Sequence, residues 1–375
     1  MKKNLNSIKS IAVVDFVGIK AGMDLYDVNL CKSLQNKGIE VVLLSNFEHK
    51  DIDSEKVFKD NPEGVINKLN NIFFGHINAF RIIRRKKYKT ALLHSFSFQL
   101  KDLYIFILAK LFKLKVILVL HDVSGFAGKD IKVIRKLILE FLANKIVVHN
   151  KFSRDVLFNY ANKRIKDKTV IIKHGSFTEN TFKKYSKYDA IRIMGLDKSY
   201  RYILFFGQIK KAKGLDLLLR AFAKTEIEDV KLIIAGKPWE DSFDEYQTLI
   251  LELGIKGRVI PYIEYIDREK RDLLFSLSDF IVLPYYEIYQ SGVLLMTMSN
   301  RIPVIASDLE PFREVIKSKN GLLFKSNDYC DLAIKIEYAL NNREVMNKFS
   351  LNAFDLMKTK YSWNTIAIQY SQILN

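Results

Sequence analysis

FFGQIKKAKGLDLLLRAF, residues 205–222, is the stretch whose reading decides the fold. An apolar run over 202–206 ends at Gly207, a short loop carries Lys210, Lys211 and Lys213, and Gly214 opens an apolar-periodic helix. Cations at the carboxyl end of a strand, beside a helix start, make a place for a diphosphate. Each lysine is a point charge able to neutralise a departing phosphate oxygen. Taken alone, the stretch is equally an ordinary strand-loop-helix with a solvated basic turn. A second half-site is needed to decide between them.

Outward from this stretch the pattern repeats. Strands are expected at 202–206, 230–235, 259–262, 280–283 and 304–306, with helices at 215–223, 243–253, 269–276 and 292–298 between them. The first half alternates in the same way. Short apolar runs at 11–16, 40–44, 91–94, 116–120, 145–148 and 170–172 are separated by helical stretches that include 24–36, 102–112 and 131–142. Strands alternating with helices imply a parallel, doubly wound α/β sheet. A polar, loosely patterned segment over 176–199 reads as a linker, and 362–373 as a helix that packs back on the first domain through Trp363.

With 375 residues, two domains are the natural expectation. The apolar runs are too short to span a bilayer. The basic, then apolar start is better read as a first strand than as a signal peptide, because Asp15 interrupts it. Cys31 and Cys330 lie far apart and suggest reduced structural thiols in a cytoplasmic protein. No Cys/His spacing suggests a metal. Charge is uneven: residues 1–180 hold 32 Lys+Arg against 17 Asp+Glu, a net +15, whereas the remainder holds 28 against 25, a net +3. A basic excess confined to one half suggests that this half meets an anionic partner.

The second half-site is LPYYEIYQSGVLLMTMSNRIPVIASDLEPFREV, residues 283–315. A strand ends at Pro284, a loop carries Glu287 and Gln290, and Ser291, Gly292 and Val293 begin a helix. Gly292 lets a ligand approach the backbone, and the free amides of the first helical turn point at it. Ser291 is alternatively a plain N-cap. Two helix starts in one domain, one reinforced by lysines, could hold a diphosphate from two sides.

At these positions the chain resembles the retaining, GT-B-fold glycosyltransferases of family 4 (glycosyl transferases group 1). The resemblance rests on Phe206-Gly207, Lys213-Gly214 and Ala221-Phe222, then on Pro303-Val304-Ile305-Ala306-Ser307-Asp308, Glu314 and Gly321-Leu322-Leu323, in order and in register. It implies a GT-B architecture, two doubly wound Rossmann-like domains facing across a cleft. The expected division is 1–180 for the acceptor, 181–359 for the nucleotide-sugar donor, and a helix in 360–375 returning to the first domain.

By resemblance, Lys213 contacts the donor diphosphate. Lys210 stands in for the arginine that usually follows the glycine, a place taken here by Gln208. Lys211 is a solvated bystander. His121, after the strand 116–120, faces the donor sugar, while His94, His149 and His174 are structural or supporting. Of the family's two glutamates, the first falls beside Glu287 and the second at Met296, which cannot hydrogen-bond a ribose. The expected catalytic set is therefore His121, Lys213 and Glu287. The expected donor-binding set is Gly22, Gly207, Lys210, Lys213, Glu287, Gln290, Ser291, Gly292 and Val293. No metal or other cofactor is expected beyond the nucleotide-sugar co-substrate.

In the first domain, Gly18-Ile19-Lys20-Ala21-Gly22 reads either as a tight turn or as a loop over the diphosphate, with Asp24 capping the following helix. The basic tract 81–89 and the stretch 101–115 are candidates for an anionic membrane face. There Tyr104, Ile107, Leu108 and Leu111 form one apolar stripe among lysines. Nucleic-acid motifs are missing from the sequence. The resulting expectation is a cytoplasmic enzyme, peripheral on the inner face of a membrane. It would pass a sugar with retention to a glycan or lipid-linked acceptor in cell-surface polysaccharide or glycoconjugate synthesis. Gln208 and Met296 motivate an alternative, a catalytically weak scaffold subunit of the same fold. A GT-B-fold nucleotide-sugar epimerase is a third reading.

Overall fold

The computed structural model describes residues 9–20, 22–123, 130–179, 185–239 and 242–374. The chain forms two compact units, Met1–Gly175 with Tyr361–Asn375, and Ser176–Lys360. These divisions fall beside the 180/181 and 359/360 positions expected from the sequence.

The first unit holds a parallel sheet of β1 (Ser10–Val14), β2 (Glu40–Ser45), β3 (Ser54–Lys56), β4 (Thr90–Ser95), β5 (Lys115–Leu120), β6 (Lys145–Val148) and β7 (Thr169–Ile171). Their order is β3-β2-β1-β4-β5-β6-β7. Ile11, Ala12, Val13, Leu92, Val116 and Val147 are wholly buried, as expected for strands covered on both faces. Strand β3 was not legible: Ser-Glu-Lys has no apolar alternation, and a short charged strand suits a sheet edge.

The helix Val65–Arg85 also escaped the sequence reading, because its first turns expose Val65, Ile66 and Leu69 instead of burying them. The basic tract 81–89 is its last turn and the turn beyond. Within it, Arg85 and Lys86 pair with Glu55 and Asp53. The stretch expected as one helix at 131–142 is an α-helix, Lys132–Leu137, running into a π-helical turn, Ile138–Leu142.

The carboxyl-terminal helix Trp363–Ile373 packs within the first unit. Trp363 is buried, with the edge of its ring against Tyr26 at 4.9 Å between centroids. The Tyr26 and Tyr370 hydroxyls are 2.9 Å apart. Gly175 closes against the same indole; a Cβ there would lie 2.2 Å from Trp363 Cε2.

The second unit has β8 (Arg201–Phe206), β9 (Val230–Ala235), β10 (Val259–Tyr262), β11 (Phe280–Leu283), β12 (Val304–Ser307) and β13 (Leu322–Phe324). All are parallel, in the order β10-β9-β8-β11-β12-β13. The helix Leu215–Lys224 buries Leu215, Leu218, Leu219 and Phe222 in a core shared with Ile203, Phe205, Leu232 and Ile234. The segment expected as a linker contains the helix Lys187–Ile193, capped by Ser186, whose side chain accepts from Asp189 N; residues 180–184 of that segment lie outside the described residues. A short polar helix of this kind carries too little apolar periodicity to announce itself.

In both sheets the order reverses beside the first strand of the unit, between β1 and β4 and between β8 and β11. Ligands of open α/β sheets bind outside the carboxyl ends of strands at such points.

Candidate functional site

In the second unit, the loops leaving β8 and β11 are joined. Tyr286 N donates to Ala212 O at 2.9 Å, and Gly214 lies directly against the other loop, since a Cβ there would stand 2.0 Å from Pro284 O. Gly214 also has φ +62°, and it forms the N-cap of the helix Leu215–Lys224 with no side-chain cap. Only glycine satisfies both demands. The family-like Lys-Gly pair is thus partly a packing requirement.

The loop turns through a 3-10 segment, Lys211–Lys213. Lys213 is half-buried, and its Nζ sits 3.7 Å from the centre of the Tyr285 ring. Tyr285 is buried, tilted against Phe312, and its hydroxyl has no hydrogen-bond partner among the described residues. Lys210 Nζ lies 4.3 Å over the Trp239 ring, and Lys211 and Gln208 are exposed. The three lysines therefore differ: two are held against aromatic faces and one is solvated.

Gly207 and Val293 are neighbours, for a Cβ on Gly207 would lie 3.5 Å from Val293 Cγ2. The end of β8 and the start of the helix Gly292–Ser299 are thereby brought together. Ser291 is buried, and its hydroxyl accepts from Leu294 N at 3.1 Å, so it serves as the N-cap. The space where a Gly292 side chain would point is open. The amides of Gly292 and Val293 precede the first intrahelical bond, and such groups can bind an anion. Glu287 is exposed on the same loop, and Gln290 and Met296 are half-buried.

Tyr285 was missed by sequence reasoning, as was Tyr286, whose hydroxyl donates to Asp216 Oδ2 at 2.7 Å. Tyrosines after a strand-ending proline carry no periodic signal; only the joined loops give them a role.

In the first unit, four histidines stand along neighbouring strands: His94 within the end of β4, His121 and His149 immediately after β5 and β6, and His174 just beyond β7. Burial holds His94, His149 and His174 far below the ordinary imidazole range, to about 4, 3 and 4, and depresses His121 as well. All four are neutral at pH 7. His149 Nδ1 and His174 Nδ1 lie within hydrogen-bond reach of the Ile172 and Gly175 carbonyls. His121 is the least buried of the four, and its ring stacks on Phe96 at 4.5 Å. Among the described residues no group of His, Cys, Asp and Glu is arranged to hold a metal ion.

Gly22 has φ +77° and is itself the N-cap of the helix Met23–Gln35, with no side-chain cap. Asp24 therefore sits in the first turn and does not cap it, contrary to the expectation. The Val17 and Gly18 amides donate to the buried Asp15 carboxylate, and Ile19 N donates to Asn46 Oδ1. Those donors are spent on the turn itself. Ala21 lies outside the described residues.

Two parallel-sheet, Rossmann-like α/β domains of this kind are those of the GT-B glycosyltransferase fold, and residues 187–355 match the family "Glycosyl transferases group 1". The chain is similar in fold to sucrose-phosphate synthase from Thermosynechococcus elongatus, with TM-score 0.77, 19% identity, and coverage of 97% of this chain and 98% of that one. Anabaena Alr3699/HepE, solved in complex with UDP and glucose, gives TM-score 0.76 and 18% identity, covering 98% of this chain and 99% of its own. An uncharacterized glycosyltransferase of Methanocaldococcus jannaschii is 28% identical over 179 residues, 47% of this chain and 45% of that relative.

The chain spans about half the length of the curated relatives it matches.

Proposed function

We propose that this protein is a glycosyltransferase that takes a sugar from a nucleotide-sugar donor and passes it, with retention of anomeric configuration, to a glycan or lipid-linked acceptor. The observation that carries the reading is the joined pair of loops at the β8/β11 switch point. It sets Lys213 and the Gly292–Val293 amides on neighbouring elements, the cation and the donors that a diphosphate requires. The family match over 187–355 and the UDP bound by Alr3699/HepE support a nucleotide-sugar donor.

In this reading the second unit binds the donor. Lys213 and Lys210 neutralise the diphosphate as its bond to the sugar breaks, the Gly292 and Val293 amides hold its oxygens, and Gly207 permits close approach of the backbone. Glu287 and Gln290 take sugar hydroxyls. Gly22 gives the first unit's loop room beside the ligand, and His121 hydrogen-bonds a sugar hydroxyl. With lysines and amides carrying the charge, no metal is required, and no cofactor beyond the co-substrate.

The acceptor and the membrane belong to the basic first unit. No helix among the described residues is long and apolar enough to cross a membrane. The stripe of Tyr104, Ile107, Leu108 and Leu111 lies on the outer side of the helix Leu100–Leu111, whose core contacts are Ile105, Phe106 and Ala109. Phe73 of the helix Val65–Arg85 stacks on Tyr104 at 4.6 Å, which extends the apolar surface to Val65, Ile66 and Leu69. An exposed apolar surface of this kind on a unit with a strong cationic excess fits an anionic lipid surface at the inner face of a membrane.

The test is thermal stabilisation by a panel of nucleotides and turnover of the matching nucleotide sugars, in the wild type and in Lys213→Ala. Loss of roughly 100- to 1,000-fold in turnover is expected, the range for removing one stabiliser of developing charge. Turnover unaffected by Lys213→Ala would overturn the assignment. Binding without turnover would favour the scaffold reading, and epimerised donor without acceptor would favour an epimerase.

A further inference from the structure

At the switch point of the first sheet, a chain of buried polar groups runs from the loop after β1 to His121. The Val17 and Gly18 amides donate to Asp15 Oδ1 and Oδ2 at 2.8 and 2.9 Å. Asp15 and Asp27 are both buried and interact through their carboxyls. Asp27 Oδ1 is 3.1 Å from His94 Nε2, with the two side chains 0% and 2% exposed. His94 Nδ1 is 2.9 Å from His121 Nε2.

The polarity of this chain turns on the link between Asp27 and His94. Backbone amides can only donate, so they favour the ionised form of Asp15. Burial raises both carboxyls of the pair. An Asp27 Oδ1 that accepts from His94 leaves the His94 proton on Nε2. His94 Nδ1 is left as an acceptor, and it can be satisfied only if His121 carries its proton on Nε2. His121 Nδ1 is then a lone pair, free of any hydrogen-bond partner among the described residues.

We propose that Asp27 and His94 are positioning residues for His121: together they fix its ring and its tautomer, so that Nδ1 is presented as a hydrogen-bond acceptor for a ligand hydroxyl. The identity of that ligand as the donor sugar rests on the function proposed above, whereas the tautomer does not. The logic is that of a base oriented by a buried acid, extended by one imidazole. Stacking on Phe96 and the edge of Tyr26 hold the His121 plane. The other titratable groups facing the chain are Asp24, Cys31, Tyr26 and Tyr370 around Asp27, and His149 and His174 around His121. His149 and His174 are neutral, the tyrosines and the cysteine are kept protonated by burial, and the charge that bears on the chain is that of Asp24, which adds to burial in pushing Asp27 upward.

The experiment uses the full chain without ligand, labelled with 15N-histidine, and reads tautomers from two-bond proton–nitrogen correlations at pH 7. Only six histidines are present, and single His→Phe variants assign them. The expected wild-type result is an Nε2–H tautomer for both His94 and His121, with a nitrogen–nitrogen coupling across the His121 Nε2–H to His94 Nδ1 bond. Asp27→Asn and His94→Phe are expected to leave His121 a mixture of tautomers. A wild-type His121 protonated on Nδ1, or lacking the coupling, overturns the proposal even if both variants fail to fold. An unchanged His121 signature in a folded Asp27→Asn variant overturns it as well. Failure here with Lys213→Ala still abolishing turnover would leave the glycosyltransferase reading intact; success here without any turnover would do the reverse.

Discussion

The ammonium of Lys213 rests 3.7 Å from the centre of the buried Tyr285 ring, so the cation placed by one loop is held by the aromatic residue of the other. A lysine on a four-carbon stem is otherwise free to point anywhere, and the ring restricts it at a cost in entropy already met in the fold. Tyr285→Leu retains the apolar packing but removes that face. Turnover of the cognate nucleotide sugar is expected to fall roughly 3- to 30-fold, the equivalent of about 0.5–2 kcal/mol of cation–π interaction. The loss should be smaller than in Lys213→Ala. Steady-state kinetics with both variants gives the order, and equal losses would mean that the ring does more than hold the lysine.

Two glycines of the same site separate packing from ligand access. Gly214→Ala puts a Cβ against Pro284 O at a residue with φ +62°. It is expected to destabilise the second unit by about 1–3 kcal/mol, visible as a lower melting temperature. Gly292→Ala meets open space and should leave the melting temperature nearly unchanged while weakening nucleotide binding. Calorimetry and nucleotide titration on both variants test the distinction, and a stable Gly214→Ala protein would show that the two loops can separate.

These two glycines also mark how far the sequence could be read. Lys213-Gly214 and Ser291-Gly292 were legible because each follows an apolar run and opens a periodic helix. The strands expected around them match β8 to β12 to within a residue at each end, whereas β13 was not among those expected. What was not legible has a common cause. Strand β3 is polar, the helix Val65–Arg85 turns apolar residues outward, and Tyr285 acts through a contact between two loops 72 positions apart in sequence. The Asp27–His94–His121 chain likewise joins three elements that only the fold makes neighbours. Local pattern reports which face a residue wants buried, and it is silent on what it will meet there.

The buried titratable groups of the first unit predict a stability maximum near neutral pH. His76, His94, His149 and His174 are depressed by burial to about 4, 4, 3 and 4, with His121 also lowered. The unfolded chain, with histidine near about 6.5, then binds protons that the fold refuses, so stability falls as pH drops below about 6.5. Asp15 and Asp27 are raised by burial to about 7 and about 8. Their contribution is present in full below the unfolded carboxylate pKa and is lost as pH rises through 7 to 8. The histidines outnumber the two carboxyls on the acid side, and only the carboxyls act above neutrality. Melting temperature should therefore rise from pH 4.5 to about 6.5 and decline toward pH 9; a steady rise across the whole range would contradict the assigned burial.

Metal removal offers a direct check on the diphosphate chemistry. If Lys210, Lys213 and the helix amides carry the developing charge, dialysis against a chelator should leave turnover unchanged, and added magnesium should not increase it. A chelator-sensitive rate restored by a divalent cation would move the charge from these side chains to an ion.

Association with a membrane is predicted to depend on the outward apolar residues of the helix Val65–Arg85 as well as on charge. Val65, Ile66 and Leu69 are 73%, 74% and 56% exposed, so their replacement by serine removes no core packing. Full burial of one such side chain is worth about 1.5–3 kcal/mol, and partial insertion at a lipid interface gives a fraction of that. The triple variant Val65→Ser, Ile66→Ser, Leu69→Ser should then lose at least about tenfold in vesicle partitioning while keeping its melting temperature. Arg81 and Arg84 are exposed near the other end of the same helix, whereas Arg85 and Lys86 are paired. Arg81→Glu with Arg84→Glu should therefore weaken binding to vesicles containing anionic lipid and leave any binding to neutral vesicles unaltered, with the difference shrinking at high salt. Co-sedimentation with phosphatidylcholine vesicles, with and without phosphatidylglycerol, separates the two contributions. Equal pelleting of wild type and both variants in every lipid mixture would remove the membrane from this protein's partners.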